Sequence, residues 1–116
     1  MSDTYYVKTF GGLEITNDNV TVNIVELFGK QLVNLLQVLL FHSEKPVQKD
    51  ELIDILWPES KNPSSALKFS IFRLRAELNE IEFFKDKEVI VTTRKGYILN
   101  PNLDWNIDFV ELQKAY

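Results

Sequence analysis

The longest periodic stretch of the sequence is SSALKFSIFRLRAELN, residues 64–79. Its large aliphatic side chains recur every three or four residues, which is the spacing of one face of an α-helix. They are Leu67, Ile71, Leu74 and Leu78. Pro63 suits the first turn of a helix, with Asn62 or Ser64 as the capping residue. The stretch therefore predicts an amphipathic helix over residues 64–79.

Two shorter helical patterns precede this stretch. Apolar residues at helical spacing predict a helix over residues 30–42, and Pro46 ends it because the residue before a proline disfavours helical backbone. A second apolar stripe predicts a helix over residues 49–56, with acidic residues in its first turn, where the helix dipole favours them. Pro58 ends this helix. The two helices and their short link form a helix-turn-helix pattern with the longer helix that follows.

Strand patterns lie on both sides of the helical region. Alternating and β-branched residues predict an antiparallel meander within residues 1–27, with residues 24–27 as its last short strand. Residues 88–92 and 97–99 predict a β-hairpin, and the turn between them, residues 93–96, is basic. A basic hairpin after a helix-turn-helix is typical of a winged helix.

These elements predict an α+β fold, namely a winged helix-turn-helix with an N-terminal antiparallel sheet, three helices and a C-terminal hairpin. A chain of 116 residues has room for one domain, which we expect to occupy residues 1–103. Residues 104–116 are expected to be a C-terminal tail. Within this tail, residues 107–116 predict a last short helix.

Composition excludes several function classes. Without cysteine the chain has no disulfide and no cysteine-based zinc site, and its single histidine, His42, is too few for a histidine-rich metal site. No catalytic constellation is evident, so we expect neither an enzyme nor a cofactor. No apolar run approaches the ~18 residues that span a membrane. Residues 1–4 lack the pattern of a signal peptide. We therefore expect a soluble cytoplasmic domain without a membrane partner.

Charge is distributed unevenly along the chain. The net charge of −4 argues against a nucleic-acid partner. However, residues 60–100 carry a net charge of +3, whereas residues 1–59 carry −5 and residues 101–116 carry −2. Because the local field decides where a charged partner docks, the basic segment remains a candidate for nucleic-acid binding.

Three motifs, in this order, resemble the winged-helix domains of the OmpR/PhoB type. They are PVQKDELIDILWP at residues 46–58, IFRLRAEL at residues 71–78 and VTTRKGY at residues 91–97. The resemblance covers residues 10–100 and is closest to the N-terminal DNA-binding domain of SARP-type regulators, which carry a bacterial transcriptional activator domain downstream. Residues 108–112 are similar to the lead-in to that domain, which implies that the chain is a fragment of a longer regulator.

The resemblance implies sequence-specific binding to double-stranded DNA by a bacterial transcriptional regulator. The helix over residues 64–79 is then expected in the major groove, and the wing at residues 93–96 at the adjacent minor groove. Family members bind direct-repeat sites as head-to-tail pairs, so the same arrangement is expected here. The resemblance also implies a contact between RNA polymerase and the loop at residues 58–63.

Helical geometry, at ~100° per residue, selects the DNA-facing side of the long helix. The side opposite the aliphatic stripe holds Ser65, Phe69, Arg73 and Ala76, with Phe72 on its flank. Arg73 is best placed for a bidentate contact with guanine, while Lys68 and Arg75, at the margin, are expected to reach phosphates or an internal acid. The family pattern also implies contacts by Phe69, Phe72, Arg73 and Arg75. Relatives often have arginine at position 65, a polar or basic residue at position 72 and a basic residue at position 76. This sequence has Ser65, Phe72 and Ala76 at these positions.

The wing and its surroundings supply the other candidates. Arg94 and Lys95 at the hairpin tip are placed to reach phosphates or a narrow minor groove. Thr92 and Tyr97 are candidate donors to a phosphate. Lys49, at the start of the second helix, is a further candidate because the helix N-terminus favours an anion there.

Each candidate also has a purely structural alternative. The arginines of the long helix pair with Glu77 or Glu80 or remain solvated, and the cations of the wing keep a turn soluble. Phe69 and Phe72 pack under the sheet or against the hairpin. The alternative function is a winged-helix protein–protein interaction module without DNA binding, which the overall acidity and these two aromatic side chains favour.

Overall fold

The computed structural model describes residues 4–9 and 12–108. In chain order the elements are β1 (Thr4–Lys8), β2 (Glu14–Asn17), β3 (Val20–Asn23), α1 (Ile24–Leu27), α2 (Lys30–Phe41), α3 (Lys49–Leu56), α4 (Pro63–Asn79), a 3-10 turn (Glu82–Phe84), β4 (Ile90–Thr93), β5 (Gly96–Leu99) and β6 (Asp104–Ile107). This order confirms the α+β class and the winged-helix architecture. The predicted helices over residues 30–42, 49–56 and 64–79 correspond to α2, α3 and α4.

The N-terminal meander is part of a four-stranded sheet with the order β3-β2-β1-β6. Strands β1, β2 and β3 pair antiparallel, as the alternation of their residues predicts. Strand β6 pairs with β1 in parallel, with Thr4 opposite Asp104 and Val7 opposite Ile107. The sheet therefore joins two parts of the chain that are about 100 residues apart.

Residues 24–27 form helix α1, so the prediction of a last short strand there is wrong. The side chain of Asn23 accepts a hydrogen bond of 3.3 Å from the backbone amide of Glu26, which caps the helix. Ile24 lies in the core, with none of its surface exposed. The run of β-branched residues favours a strand, but the cap and the burial of one side chain favour a helical turn.

Strand β6 was not predicted. Ile107, expected as the start of a helix, lies in this strand, so that prediction is wrong at its first residue. Residues 109–116, which hold the rest of the expected helix, lie outside the described residues, as do Phe10 and Gly11. Strand β6 begins directly after the predicted domain boundary at residue 103 and extends the sheet of the preceding segment.

The core lies between the sheet and the three longer helices. The four aliphatic residues that predict helix α4 are all buried, as are Leu35, Leu39 and Leu52 from the two preceding helices. Asn62 is the N-cap of α4 and Pro63 its first residue, although the Asn62 side chain makes no capping hydrogen bond. Burial of one face of α4 leaves the opposite face free for a partner.

A short bridge positions the wing against the helices. Val47, in the link between α2 and α3, exchanges backbone hydrogen bonds of 2.8 and 3.0 Å with Tyr97 in β5. Gly96 makes this approach possible because a Cβ atom there would lie 1.9 Å from the carbonyl oxygen of Val47. The φ angle of Gly96 is 137°, a value that residues with a side chain rarely adopt. The hairpin formed by β4 and β5 is therefore fixed to the helix-turn-helix at its turn-proximal end.

Candidate nucleic-acid interface

The outward face of α4 exposes two aromatic side chains. Phe69 is 61% exposed and Phe72 is 70% exposed, so neither packs under the sheet or against the hairpin. Ser65 and Lys68, in the first half of the helix, are exposed as well. Because the aliphatic stripe occupies the opposite side, this face is available over most of the length of α4.

Arg73 lies between Phe69 and Glu77 on this face. Its guanidinium carbon is 6.0 Å from the centre of the Phe69 ring, and its Nη2 atom is 3.4 Å from Oε1 of Glu77. The pairing of Arg73 with Glu77 confirms one of the structural alternatives. Both side chains are accessible to water, where such a pair contributes little stability and opens readily. The ion pair of Arg73 with Glu77 is therefore weak, and the guanidinium is able to leave Glu77 for another partner.

Arg75 has a different environment from Arg73. Its guanidinium donates hydrogen bonds of 3.3 and 3.1 Å to the carbonyl oxygen of Ile90 and one of 2.6 Å to the hydroxyl oxygen of Thr92. The guanidinium carbon also lies 6.0 Å from the centre of the Tyr97 ring. The partners of the Arg75 guanidinium are thus a carbonyl and a hydroxyl oxygen, not the internal acid that was one of the two expectations. Arg75 therefore joins α4 directly to the wing.

The tip of the wing is ordered by Thr93. The hydroxyl group of this residue donates a hydrogen bond of 3.0 Å to the carbonyl oxygen of Gly96, and its oxygen accepts one of 3.1 Å from the backbone amide of Lys95. The Arg94 and Lys95 side chains are exposed. Two cations thus extend from a turn whose backbone is held by its own side chain.

Tyr97 and Lys49 lie where the wing meets α3. Tyr97 is only 5% exposed, and Nζ of Lys49 is 5.9 Å from the centre of its ring. The ring thus contacts a cation from α3 as well as Arg75 from α4. This gives Tyr97 a packing role, and its role as a phosphate donor stays a prediction. Lys49 is exposed at the first residue of α3, where it remains accessible to an anion.

The outward face of α4 and strand β4 of the wing lie on the two sides of one groove. This open groove of about 650 Å³ separates them, with Phe72, Arg75 and Ala76 on one side and Val91 and Thr92 on the other. The structure thus brings together the candidates of α4 and those of β4. We call the outward face of α4, this groove and the turn at residues 93–96 the basic face.

Sequence reasoning missed Lys87, which also lines this groove. The signal for it was the positive charge of residues 60–100, to which Lys87 contributes. The link from Arg75 to Ile90 was also missed, because no local pattern indicates a contact between residues 15 positions apart.

Within residues 4–9 and 12–108, no group of three or more histidine, cysteine, aspartate or glutamate side chains is placed to hold a metal ion. No helix in the same ranges has the length and hydropathy needed to cross a membrane.

Comparison with known proteins places these features in context. The model of the family described as "Transcriptional regulatory protein, C terminal" matches residues 18–99. The chain is similar to the DNA-binding domain of E. coli CadC, with 27% identity over 74% of this chain and 77% of that one, and a TM-score of 0.57.

A second similar structure is Mycobacterium tuberculosis EmbR in complex with a low-affinity phosphopeptide. Identity is 22% over 84% of this chain and 25% of that one, with a TM-score of 0.61, so this likeness concerns the fold alone. No curated protein sequence matches the chain.

Proposed function

This chain belongs to the family of transcriptional regulatory protein C-terminal domains, of the OmpR/PhoB type, and from that premise we propose that its basic face binds double-stranded DNA sequence-specifically. The observation that carries the proposal is that Arg75 joins α4, whose outward face is exposed, to Thr92 in the strand that leads into the basic turn of the wing. Helix α4 enters the major groove, and residues 93–96 lie at the adjacent minor groove. Such a division is usual for winged helices.

Arg73 is the residue that we propose to contact a base edge through hydrogen bonds. It is exposed on the outward face of α4, and its planar guanidinium matches the two acceptors of guanine in the major groove. Glu77 competes for the same group in the free protein. Binding therefore exchanges a weak, solvated ion pair for a bidentate contact.

The remaining polar candidates are proposed to contact the DNA backbone. Ser65 lies at the N-terminal end of the base-facing side of α4 and Lys68 flanks that side, while Arg94 and Lys95 project from the wing. Contacts of this kind fix the position of a protein on the duplex without distinguishing its sequence. Tyr97, Thr92 and Lys49 complete the proposed set, on the side where the wing meets α3. Arg75 acts mainly as a positioning residue, because its donors already serve Ile90 and Thr92.

Larger assemblies are also part of the proposal. The family resemblance supports direct-repeat sites bound by head-to-tail pairs, a contact between RNA polymerase and the loop at residues 58–63, and a cytoplasmic location. In this loop residues 58–62 are exposed, so its side chains are accessible to a partner. We also propose that the DNA-binding domain, predicted to end at residue 103, includes β6 as a strand of its sheet, and that the residues after β6 lead toward a downstream domain.

Fluorescence anisotropy of a labelled random-sequence duplex tests DNA binding. The affinity is expected to fall at least about tenfold between ~50 and ~200 mM salt, because phosphate contacts release counterions. The variant Lys95→Ala is expected to reduce the slope of log K against log salt by about 1. Lys8→Ala removes an exposed cation from β1 instead and serves as the matched control. Binding that does not respond to salt would contradict the proposal.

A protein–protein interaction module is the second candidate function, because Phe69 and Phe72 form an exposed apolar pair. This candidate predicts self-association that Phe69→Ala abolishes, measured by sedimentation equilibrium. It also predicts that a covalent tandem of two copies fails to bind duplex DNA at ~50 mM salt, a condition in which phosphate contacts are strong. Salt-dependent binding by the tandem protein would instead support the DNA-binding proposal.

A further inference from the structure

The base-facing side of α4 is poor in hydrogen-bonding groups. Its outward positions are Ser65, Phe69, Phe72, Arg73 and Ala76. Among these side chains Arg73 is the long hydrogen-bond donor, two are aromatic, and the other two are small. A helix with this composition has little means of recognising bases through hydrogen bonds. Recognition beyond one guanine must then rely on apolar contacts.

The two aromatic side chains contribute little to the folded core. Phe69 and Phe72 are mostly exposed, whereas the buried side of α4 is filled by its four aliphatic residues. The free energy of binding becomes more favourable when a partner covers apolar surface that is in contact with water in the free protein. Lys68 and Arg73, which are exposed on the same helix, favour a polyanionic partner for this pair.

We infer that Phe69 and Phe72 contact the 5-methyl groups of thymines in the major groove, an inference that rests on the proposed function. Thymine alone presents a methyl group at that edge of a base pair, while the other groups there are hydrogen-bond donors and acceptors that phenylalanine cannot pair. The preferred site therefore contains thymines at the positions that face these two rings. Guanine is expected at the position that faces Arg73.

The spacing of the three residues sets the expected arrangement of bases. Phe69 and Phe72 are three residues apart, which is about 4.5 Å along the helix axis and comparable to the ~3.4 Å between stacked base pairs. The Arg73 guanidinium already packs against the ring of Phe69. We therefore expect the guanine to lie next to the thymine that Phe69 contacts, with a second thymine one or two base pairs away.

Replacing thymine by deoxyuridine removes the methyl group and leaves base pairing intact. A preferred duplex is first enriched from a randomised library by the full chain or its covalent tandem. Single thymines are then replaced by deoxyuridine, and affinity is measured by anisotropy. Each contacted methyl group is expected to contribute about fourfold to affinity, the value for one buried methylene-sized group. Phe72→Ala is expected to lose the response at one thymine position and Phe69→Ala the response at another.

Ile55→Ala provides a control, because Ile55 is also a large exposed apolar residue but lies on α3. This variant is expected to keep the full response to deoxyuridine. Circular dichroism of all variants checks that each is folded.

The outcomes separate the inference from the proposed function. Enrichment of a duplex that tolerates deoxyuridine everywhere overturns the thymine contacts and leaves DNA binding in place. An equal response to deoxyuridine in the wild type and in both phenylalanine variants overturns the role of these rings, since the methyl groups then act through DNA shape. Failure to enrich any duplex, with the tandem protein as well, overturns both proposals.

Discussion

The guanidinium of Arg75 lies 2.6 Å from the hydroxyl oxygen of Thr92 and so joins the proposed recognition helix to the wing. The same group donates to the carbonyl oxygen of Ile90. Two elements that are proposed to engage adjacent grooves of DNA are thereby held at a fixed separation. Arg73, two residues earlier, has no such role, because its partner Glu77 belongs to its own helix.

Replacement of Arg75 is expected to affect both stability and binding. Arg75→Ala removes charge-assisted hydrogen bonds to β4, and the free energy of unfolding should fall by about 1–3 kcal/mol. DNA affinity should fall as well, because the wing is no longer fixed to α4. Arg75→Lys should restore little of either, since an ammonium group cannot make the same planar set of contacts. Urea unfolding and anisotropy measure the two effects.

Arg73→Ala is the matched variant for this comparison. It should weaken specific binding by about 1–3 kcal/mol and relax the preference for guanine, with stability nearly unchanged. Equal losses of stability in Arg73→Ala and Arg75→Ala would contradict the division of roles between these two arginines.

The close approach at Gly96 predicts a severe effect of adding one methyl group. In Gly96→Ala the new Cβ atom meets the carbonyl oxygen of Val47, and the residue must also keep a positive φ. We expect the free energy of unfolding to fall by at least about 2 kcal/mol. Gly29→Ala is the control, because nothing lies within 4 Å of a Cβ atom there. That variant should lose less than about 1 kcal/mol. Similar unfolding midpoints for the two variants would argue against the bridge.

The exposed and buried phenylalanines should differ sharply in their contribution to stability. Phe72→Ala is expected to change the free energy of unfolding by no more than about 0.5 kcal/mol, since the ring faces water. Phe84 is fully buried beside Tyr5, with ring centres 4.8 Å apart, so Phe84→Ala should cost about 3–5 kcal/mol. Thermal and urea unfolding compare the two variants. A large loss in Phe72→Ala would mean that this ring serves the fold rather than a partner.

Asp108 fixes the edge of the sheet where β6 meets β1. Its carboxylate accepts hydrogen bonds from the backbone amide of Thr9 at 3.0 and 3.1 Å and from the Thr9 hydroxyl group at 2.8 Å. Asp108→Ala is therefore expected to cost about 1.5–3 kcal/mol of stability. Asp104→Ala, at the first residue of β6, removes one exposed hydrogen bond from Thr4 and should cost less than about 1 kcal/mol. The reverse order in urea unfolding would contradict this assignment.

The parts of the fold that could be predicted from sequence depend on local chemistry. The aliphatic spacing in α4 fixes both a helix and its buried side, and so the exposure of Phe69 on the opposite side follows. The prediction of a strand at residues 24–27 is wrong because β-branched residues favour a strand, while the cap by Asn23 that favours helix α1 depends on a single side chain. The short strand β6 carries no strong pattern of its own, and its partner β1 lies far away in the sequence.

In the candidate site, too, the features set by local sequence could be predicted and those set by distant contacts could not. Exposure of the α4 face and the basic turn follow from periodicity and charge. The distinct environments of Arg73 and Arg75 do not, because they depend on where β4 packs. Ile90 and Thr92 lie 15 and 17 residues beyond Arg75, and only the folded chain brings their oxygen atoms to its guanidinium.

The parallel pairing of β1 with β6 also has a consequence for the order of folding. During synthesis β1 emerges first, yet one of its backbone edges stays unpaired until Asp104–Ile107 has left the ribosome. An unpaired strand edge is prone to join another chain, and contacts of such wide sequence separation form slowly. The nascent domain is thus most vulnerable to aggregation before its last strand arrives. A chaperone that protects the nascent domain would therefore have to stay bound until β6 has paired with β1.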